Sequence, residues 1–287
     1  MGKDAHKHGK HGKDERGPRK PRVQHVGTVV RTQRVAEHLV RVTLGGPGLA
    51  AFEPKEATDQ YVKLLFADPA LGLTPPYDLD AIRAEHGKDA VPVRRTYTVR
   101  AARDGEIDVD FVTHGAEGIA GPWAEAAQPG DLVAFNGPGG AYAPRPGVWQ
   151  LLAGDESALP AIAAALESMG PDEHGEVLLD VGGPGDEIEL QVPAGVRVQW
   201  LHRGGAFSPE TSRLESAVRE VDLPSGAQVF AHGERGVMKA LRRYFTDEFG
   251  LSRADLSLSA YWAYGRVEDQ FQAEKREAIG QIFPEGA

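Results

Sequence analysis

Arg95, Thr96, Tyr97 and Thr98 fall in one short run, "RRTYTVR" (residues 94–100), with further arginines at both ends. A strand chosen for packing alone would favour valine and isoleucine. Alternation along a strand puts Arg95, Tyr97 and Val99 on one face and Thr96, Thr98 and Arg100 on the other. Arg95 could then clamp a phosphate, Tyr97 stack on a flat ring, and the hydroxyl and backbone of Thr98 reach that ring's edge. An exposed strand with two charge pairs and a half-buried tyrosine would read the same way. The following "DFVTHGAEGIAGPWA" passes Gly115, Gly118 and Gly121 on its way into a helical "WAEAAQPGD". Free backbone N–H groups at such a helix start accept an anion, although an ordinary glycine-rich turn has the same composition.

The later stretch "VFAHGERGVMKALRR" reads as strand, glycine turn and helix. With Gly233 and Glu234 at the turn, it suits a dinucleotide phosphate. Arg203, Lys239 and Arg242 could meet a 2′-phosphate there, or serve as solvated charges. Against easy binding, "AGDESALP" places Asp155 and Glu156 where acids would repel a pyrophosphate. His114 has no partner for a catalytic triad, and the spacing around Ser157 is wrong for a nucleophile elbow.

The elements that must position these residues come in two textures. From Val23 to Ala143, short alternating or β-branched runs are punctuated by Gly, Pro and Asp, as in a closed antiparallel barrel or sandwich. "RDGE" supplies the positive φ of a tight hairpin. "GLTPPYDLDAIRAEHGKDAVP" interrupts the pattern as an excursion. From Trp149, strands alternate with helices, as in a parallel sheet with crossovers. The helices include "PETSRLESAVREV", with Pro209 in its first turn, and "VEDQFQAEKREAIGQIF", amphipathic through Phe271, Ile279 and Ile282. The expected division is a basic His-rich tail over 1–22, a β-barrel domain over 23–146, an α/β domain over 147–266 and a helical extension over 267–287. A barrel followed by such a domain points to a flavoenzyme, with a nicotinamide donor on the second half; fold alone does not give function.

The 287 residues contain no cysteine, which excludes disulfides, thiolate metal sites and iron–sulfur ligation and fits a reducing cytoplasm. No secretion signal and no run of membrane-span length is present. The net charge of −10 is uneven: residues 1–22 hold eight Lys/Arg and three Asp/Glu, leaving an acidic body that repels nucleic acid. His6, His8 and His11 of that tail could catch a transition metal, but a solubilising extension is the simpler reading.

The runs "RRTYTVR", "DVDFVTHG", "WQLLAGDESALPAI", "WLHR" and "YWAYGRVED", in this order, resemble the siderophore-interacting protein family. These are FAD-dependent ferric-siderophore reductases within the ferredoxin–NADP reductase superfamily, and the similarity covers Arg22 to Glu277. The resemblance implies an N-terminal Greek-key FAD-binding barrel and an NAD(P)-binding-like domain. It implies FAD contacts from Arg95, Thr96, Tyr97, Thr98, Asp110, Phe111, Val112 and His114, with the pyrophosphate on Ile119, Ala120 and Gly121 near Trp123. Ser157 joins this set, and Tyr261 and Trp262 would flank the flavin from the second domain; two core aromatics closing a sheet would look alike. It implies NAD(P)H, or a ferredoxin, as donor, with Asp155, Arg203, Gly233, Glu234 and Lys239 at the nucleotide, and Lys63 at an intracellular ferric siderophore. The chain departs from the family pattern at Ile119 (commonly proline), Ser157 (often threonine), Gly139 (arginine in some members) and Ala263 (frequently lysine or arginine). Missing cations imply a less anionic substrate, such as a hydroxamate chelate. Alternatives of the same fold are a general flavin or ferric-chelate reductase and a flavin-containing siderophore carrier.

Overall fold

The structure, a computed structural model, describes residues 23–115 and 118–283. The histidines of the tail, and the 1–22 segment as a whole, lie outside them. The first lobe contains β1 (Gln24–Ala36), β2 (Leu39–Gly45), β3 (Tyr61–Phe66), α1 (Leu79–His86), β4 (Val93–Arg103), β5 (Glu106–Val112), α2 (Ala120–Ala126) and β6 (Leu132–Gly139). Its six strands close into an antiparallel barrel in the order β1-β2-β5-β4-β3-β6. Closure removes free sheet edges, and alternate residues fill the interior: Val62 and Leu64 of β3, Val99 of β4 and Ile107, Val109 and Phe111 of β5. Ala120 and Ala124 of α2 join this core, with Trp123 packed against it. The β4–β5 hairpin turns on Asp104 (φ 52°) and Gly105 (φ 75°), the conformation the Asp-Gly pair anticipates. The excursion between β3 and β4 carries α1, whose first turn is capped by Asp78.

The second lobe contains β7 (Gln150–Asp155), α3 (Leu159–Ser168), β8 (His174–Val181), β9 (Gly195–His202), α4 (Leu214–Glu220), β10 (Gln228–Glu234), α5 (Arg235–Arg243), β11 (Leu256–Trp262) and α6 (Glu268–Glu274). Its parallel sheet runs β11-β10-β7-β8-β9. Helix α3 packs on one face, in a cluster that also holds Leu39 and Tyr142 from the barrel side. Helices α4 and α5 pack on the other through Leu214, Val218, Met238 and Leu241. The strand order reverses between β7 and β10, the crevice where doubly wound sheets bind ligands at their strand C-termini. No helix among the described residues is long and apolar enough to cross a membrane.

Two helices differ from the sequence expectation. Pro209 lies in a turn, and α4 begins only at Leu214. Ser208 and Thr211 exchange side-chain and backbone hydrogen bonds, offering this stretch an alternative to a helical turn. The Asp180 carboxylate then takes the Ser212 hydroxyl (2.6 Å) and the Arg213 N–H (3.2 Å). Near the C-terminus, among the described residues, only Glu268–Glu274 is helical; the chain turns after Lys275, and Phe271 and Ile282 reach the core from different segments.

Candidate functional site

Strand β4 forms the wall of the barrel that faces the second lobe. The Thr98 side chain is buried and hydrogen-bonded to the Tyr261 phenol of β11, so the two lobes meet at this residue. Burial pushes the Tyr261 pKa well above its usual value, and the Thr98 bond only partly offsets it. Tyr97 packs against Phe111 with ring centroids 4.3 Å apart, and Trp123 follows at 5.6 Å from Phe111. Burial and the neighbouring Glu268 raise the Tyr97 pKa, so this phenol stays neutral. Thr96 is exposed and stands opposite Lys63 of β3 in register. Arg95 forks onto Asp269 of α6, with Nη1 donating to Oδ1 at 2.9 Å and Nη2 to Oδ2 at 3.2 Å.

At the end of β5, Gly115 (φ 68°) and Gly118 (φ 79°) lead into α2. No side chain caps the first turn of α2, and Ile119 before it is exposed. A Cβ at Gly121 would lie 3.3 Å from the Val112 carbonyl, so the tight approach of α2 to β5 favours glycine. Ala120 is buried beneath this turn. His114 lies beside His38, their rings 6.4 Å apart. Asp110 has another commitment: Arg41, its partner across the β2–β5 ladder, donates Nε at 2.6 Å and Nη2 at 2.8 Å to its two oxygens.

The structure therefore joins Thr98 to Tyr261 and Arg95 to Asp269 across the boundary of the lobes, while Tyr97 packs with Phe111 and Trp123 against the barrel core. The second set of candidates is arranged otherwise. Asp155 ends β7 at the point of strand-order reversal and is 3% exposed. It accepts from the Ser157 N–H (3.0 Å) and hydroxyl (2.5 Å), the Glu234 N–H (2.9 Å) and the Trp262 indole (2.8 Å). Burial, followed by the Glu156 charge, raises its pKa to about 6 despite these donors. Its carboxylate occupies the space above Gly233, where a Cβ would sit 2.6 Å from Oδ2. The turn thus requires glycine for a contact within the protein.

Arg203 is buried between Glu156 and Asp180, donating to both carboxylates and, at 2.7 Å, to the Asp180 carbonyl. Glu234 caps α5 by accepting from the Gly236 and Val237 N–H groups, and accepts the Tyr264 N–H at 3.0 Å. Lys239 donates to the Ile279 carbonyl at 2.6 Å, and Arg242 lies beside Asp247 at 3.4 Å. Each of these side chains is engaged by the protein itself, although the Arg203 Nε is buried without a hydrogen-bond partner among the described residues.

Three features escaped the sequence reading. Asp269 meets Arg95 across 174 positions, and first-turn acids of a helix carry no signal for a partner that distant. Arg100 forks onto Glu167 of α3, a further tie between the lobes. His232 of β10 is buried, stacked 3.9 Å from Phe230 and edge-on to Tyr261 at 4.9 Å; burial lowers its pKa to about 3. The continuous apolar run "VFA" before His232 marks a strand buried on both faces, which was the available clue.

Residues 28–142 match the siderophore-interacting FAD-binding domain, and residues 148–265 match the siderophore-interacting protein family. The chain belongs to the siderophore-interacting protein family. An uncharacterized protein of Mycobacterium tuberculosis is 45% identical over 271 residues, covering 88% of this chain and 95% of the relative. The ferric vibriobactin reductase of Vibrio cholerae is 33% identical over 264 residues, covering 88% and 94%. Among solved structures, a siderophore utilization protein from T. fusca superposes with a TM-score of 0.76 at 33% identity, covering 86% and 95%. The barrel lobe of this family member is its FAD-binding domain, and family and fold together make the chain a flavin-type oxidoreductase.

The β4 wall fits FAD in kind. Tyr97 and Tyr261 offer aromatic surface, Thr98 a hydroxyl, Arg95 a cation, and the uncapped α2 turn a set of N–H donors for phosphate.

Proposed function

We propose that this protein reduces Fe(III) held in a siderophore to Fe(II), with NAD(P)H as the electron donor and FAD as the cofactor its barrel lobe would hold. Siderophores hold Fe(III) with hard oxygen ligands that grip Fe(II) far more weakly, so reduction releases the metal without cutting the chelator. Each NAD(P)H supplies two electrons, sufficient for two Fe(III) ions, and leaves NAD(P)+ and one proton. FAD, when bound, supplies the conversion between a two-electron donor and a one-electron acceptor. The chain's own residues bind and orient. Arg95 and the α2 turn would hold the diphosphate of FAD, Tyr97 and Tyr261 would offer aromatic surface to its ring, and Thr98 would hydrogen-bond the ring edge. The single observation that carries this reading is the Thr98–Tyr261 contact, which brings the FAD-binding strand against the second lobe.

Substrate charge follows from the cations at the crevice. Lys63 stands on β3 beside Thr96, whereas Gly139 has no room for a side chain because the Tyr61 ring lies over it, and Ala263 is buried. A ferric hydroxamate or mixed-ligand chelate suits this sparse set better than a tris-catecholate of high negative charge.

The test is anaerobic. Purified holoprotein should bleach at its flavin bands on adding NADPH or NADH and recover them when ferric hydroxamate siderophore is added. Bleaching only by a reduced ferredoxin would replace the proposed donor. Bleaching without reoxidation by ferric chelates would leave a carrier and overturn the reductase reading. Turnover that prefers a ferric tris-catecholate and falls steeply with salt would overturn the substrate assignment.

A further inference from the structure

Arg95 is the cation this reading assigns to the flavin diphosphate, and Asp269 already holds both of its terminal nitrogens. Arg95 Nη1 also donates to the Arg94 carbonyl at 2.9 Å. Beside Asp269, Glu268 lies close enough to bear on Tyr97, so two carboxylates of α6 face the strand where an anion is expected.

Helix α6 is rooted in the other lobe. Phe271 is 1% exposed and packs with Ala260 and Ala263, with Ile282 against the same cluster. Glu274 receives Arg235 at 2.5 Å and Arg266 at 2.8 Å, and the Ile279 carbonyl receives Lys239. The segment 267–283 is thus a strap fixed along β11 and α5, reaching the barrel through the Arg95–Asp269 pair.

We propose that Asp269 competes with the FAD diphosphate for Arg95, making this carboxylate of the C-terminal strap a negative determinant of flavin affinity. The inference rests on the FAD assignment above. Asp269 occupies the Nη1/Nη2 edge of Arg95, and that edge fits one oxyanion pair at a time, so carboxylate and phosphate compete for it. An arriving diphosphate also meets the like charges of Asp269 and Glu268. Asp269 is 65% exposed, so water readily takes over its hydration when Arg95 leaves. The competition is therefore graded and weakens the hold on FAD without abolishing it. Phe271 and the Arg235–Glu274 pair keep the strap in place, so the carboxylate is present at high effective concentration.

The experiment titrates flavin-stripped full-length protein with FAD, following flavin fluorescence at low salt. Asp269→Asn and Asp269→Ala should each bind FAD about two- to fivefold more tightly than wild type, as expected for removing one exposed competing charge. Arg95→Ala should bind more weakly, and adding Asp269→Asn to it should recover little, because the competed group is gone. Hydrogen exchange supplies a second readout: FAD should raise exchange of the 267–275 amides in wild type. Affinities of both Asp269 variants weaker than wild type would overturn the proposal and make Asp269 a positioning partner of Arg95. Wild type that takes up FAD with unchanged Asp269 variants sinks this inference alone. Failure of wild type and all variants to take up FAD would sink the flavin reading and this inference with it.

Discussion

The two lobes carry similar charged and aromatic residues at comparable positions and use them in opposite ways. On the barrel wall, Arg95 is 12% exposed but is held by a partner that is 65% exposed and free to rehydrate, Thr96 faces solvent, and α2 keeps an uncapped first turn. At the strand ends of the sheet lobe, Arg203 and Asp180 are 2% and 1% exposed, and Asp155 and Glu234 are buried with hydrogen bonds to neighbouring elements. An exposed charge can change partners because water stabilises it in between. A buried one cannot, since leaving its partner exposes it to a low-dielectric interior. The comparison teaches that residue type sets what a site could bind, and burial sets whether the residue is free to bind it.

The largest expected effect tests the rigid side of this contrast. Arg203→Ala leaves Glu156 and Asp180 buried without their cation and should cost about 3–5 kcal/mol of stability, read by urea denaturation at neutral pH. A loss below about 1 kcal/mol would show that the cluster is as exchangeable as the barrel's.

Next, Arg95→Ala should leave stability within about 1 kcal/mol of wild type, but weaken FAD binding by roughly 10- to 100-fold. Full FAD retention on gel filtration would remove Arg95 from the cofactor site.

Acidification separates two buried groups of the sheet lobe. His232 has a folded pKa of about 3 against 6.5 for the free side chain, so the unfolded chain binds its proton first. Stability from this group is complete above pH 6.5 and is lost as pH falls below it, by up to about 1.4 kcal/mol per unit. Asp155, raised to about 6 from 3.8, acts in the opposite sense, because the folded state is the tighter proton binder between those values. From these two groups, denaturation at pH 7, 6 and 5 should show stability that rises towards pH 5 for His232→Phe and falls more steeply than wild type for Asp155→Asn. An unchanged profile in both variants would mean that neither group titrates as its burial implies.

The smallest effect is expected at Lys239. Its ammonium is spent on the Ile279 carbonyl, so Lys239→Ala should cost less than about 1 kcal/mol and leave the ratio of NADPH to NADH turnover unchanged. A selective rise in the KM for NADPH would break the comparison and put Lys239 at a 2′-phosphate.

The fold was legible because its signals are local. Short alternating strands, the Asp104–Gly105 turn and the switch to strand–helix alternation after Trp149 each follow from periodicity and backbone chemistry within a few residues. The Ser208–Thr211 turn was missed because its hydroxyl bonds compete with a helix that Pro209 appeared to announce, and a single proline does not reveal that competition. Within the site, Tyr97 and Thr98 could be singled out by type and spacing. The uses made of Asp155, Glu234 and Arg203 could not, because acid and base at a glycine turn read alike whether they face a nucleotide or each other.

By itself the sequence determined the order of elements, the alternation that presents Arg95 and Tyr97 together, and the family to which these motifs belong. Tertiary structure alone decided that α6 returns to Arg95 and that Asp155 fills the crevice above Gly233. The reason is physical: periodicity and turn chemistry act between neighbours along the chain. Partner choice depends on through-space distance and local dielectric, which exist only once distant segments have packed.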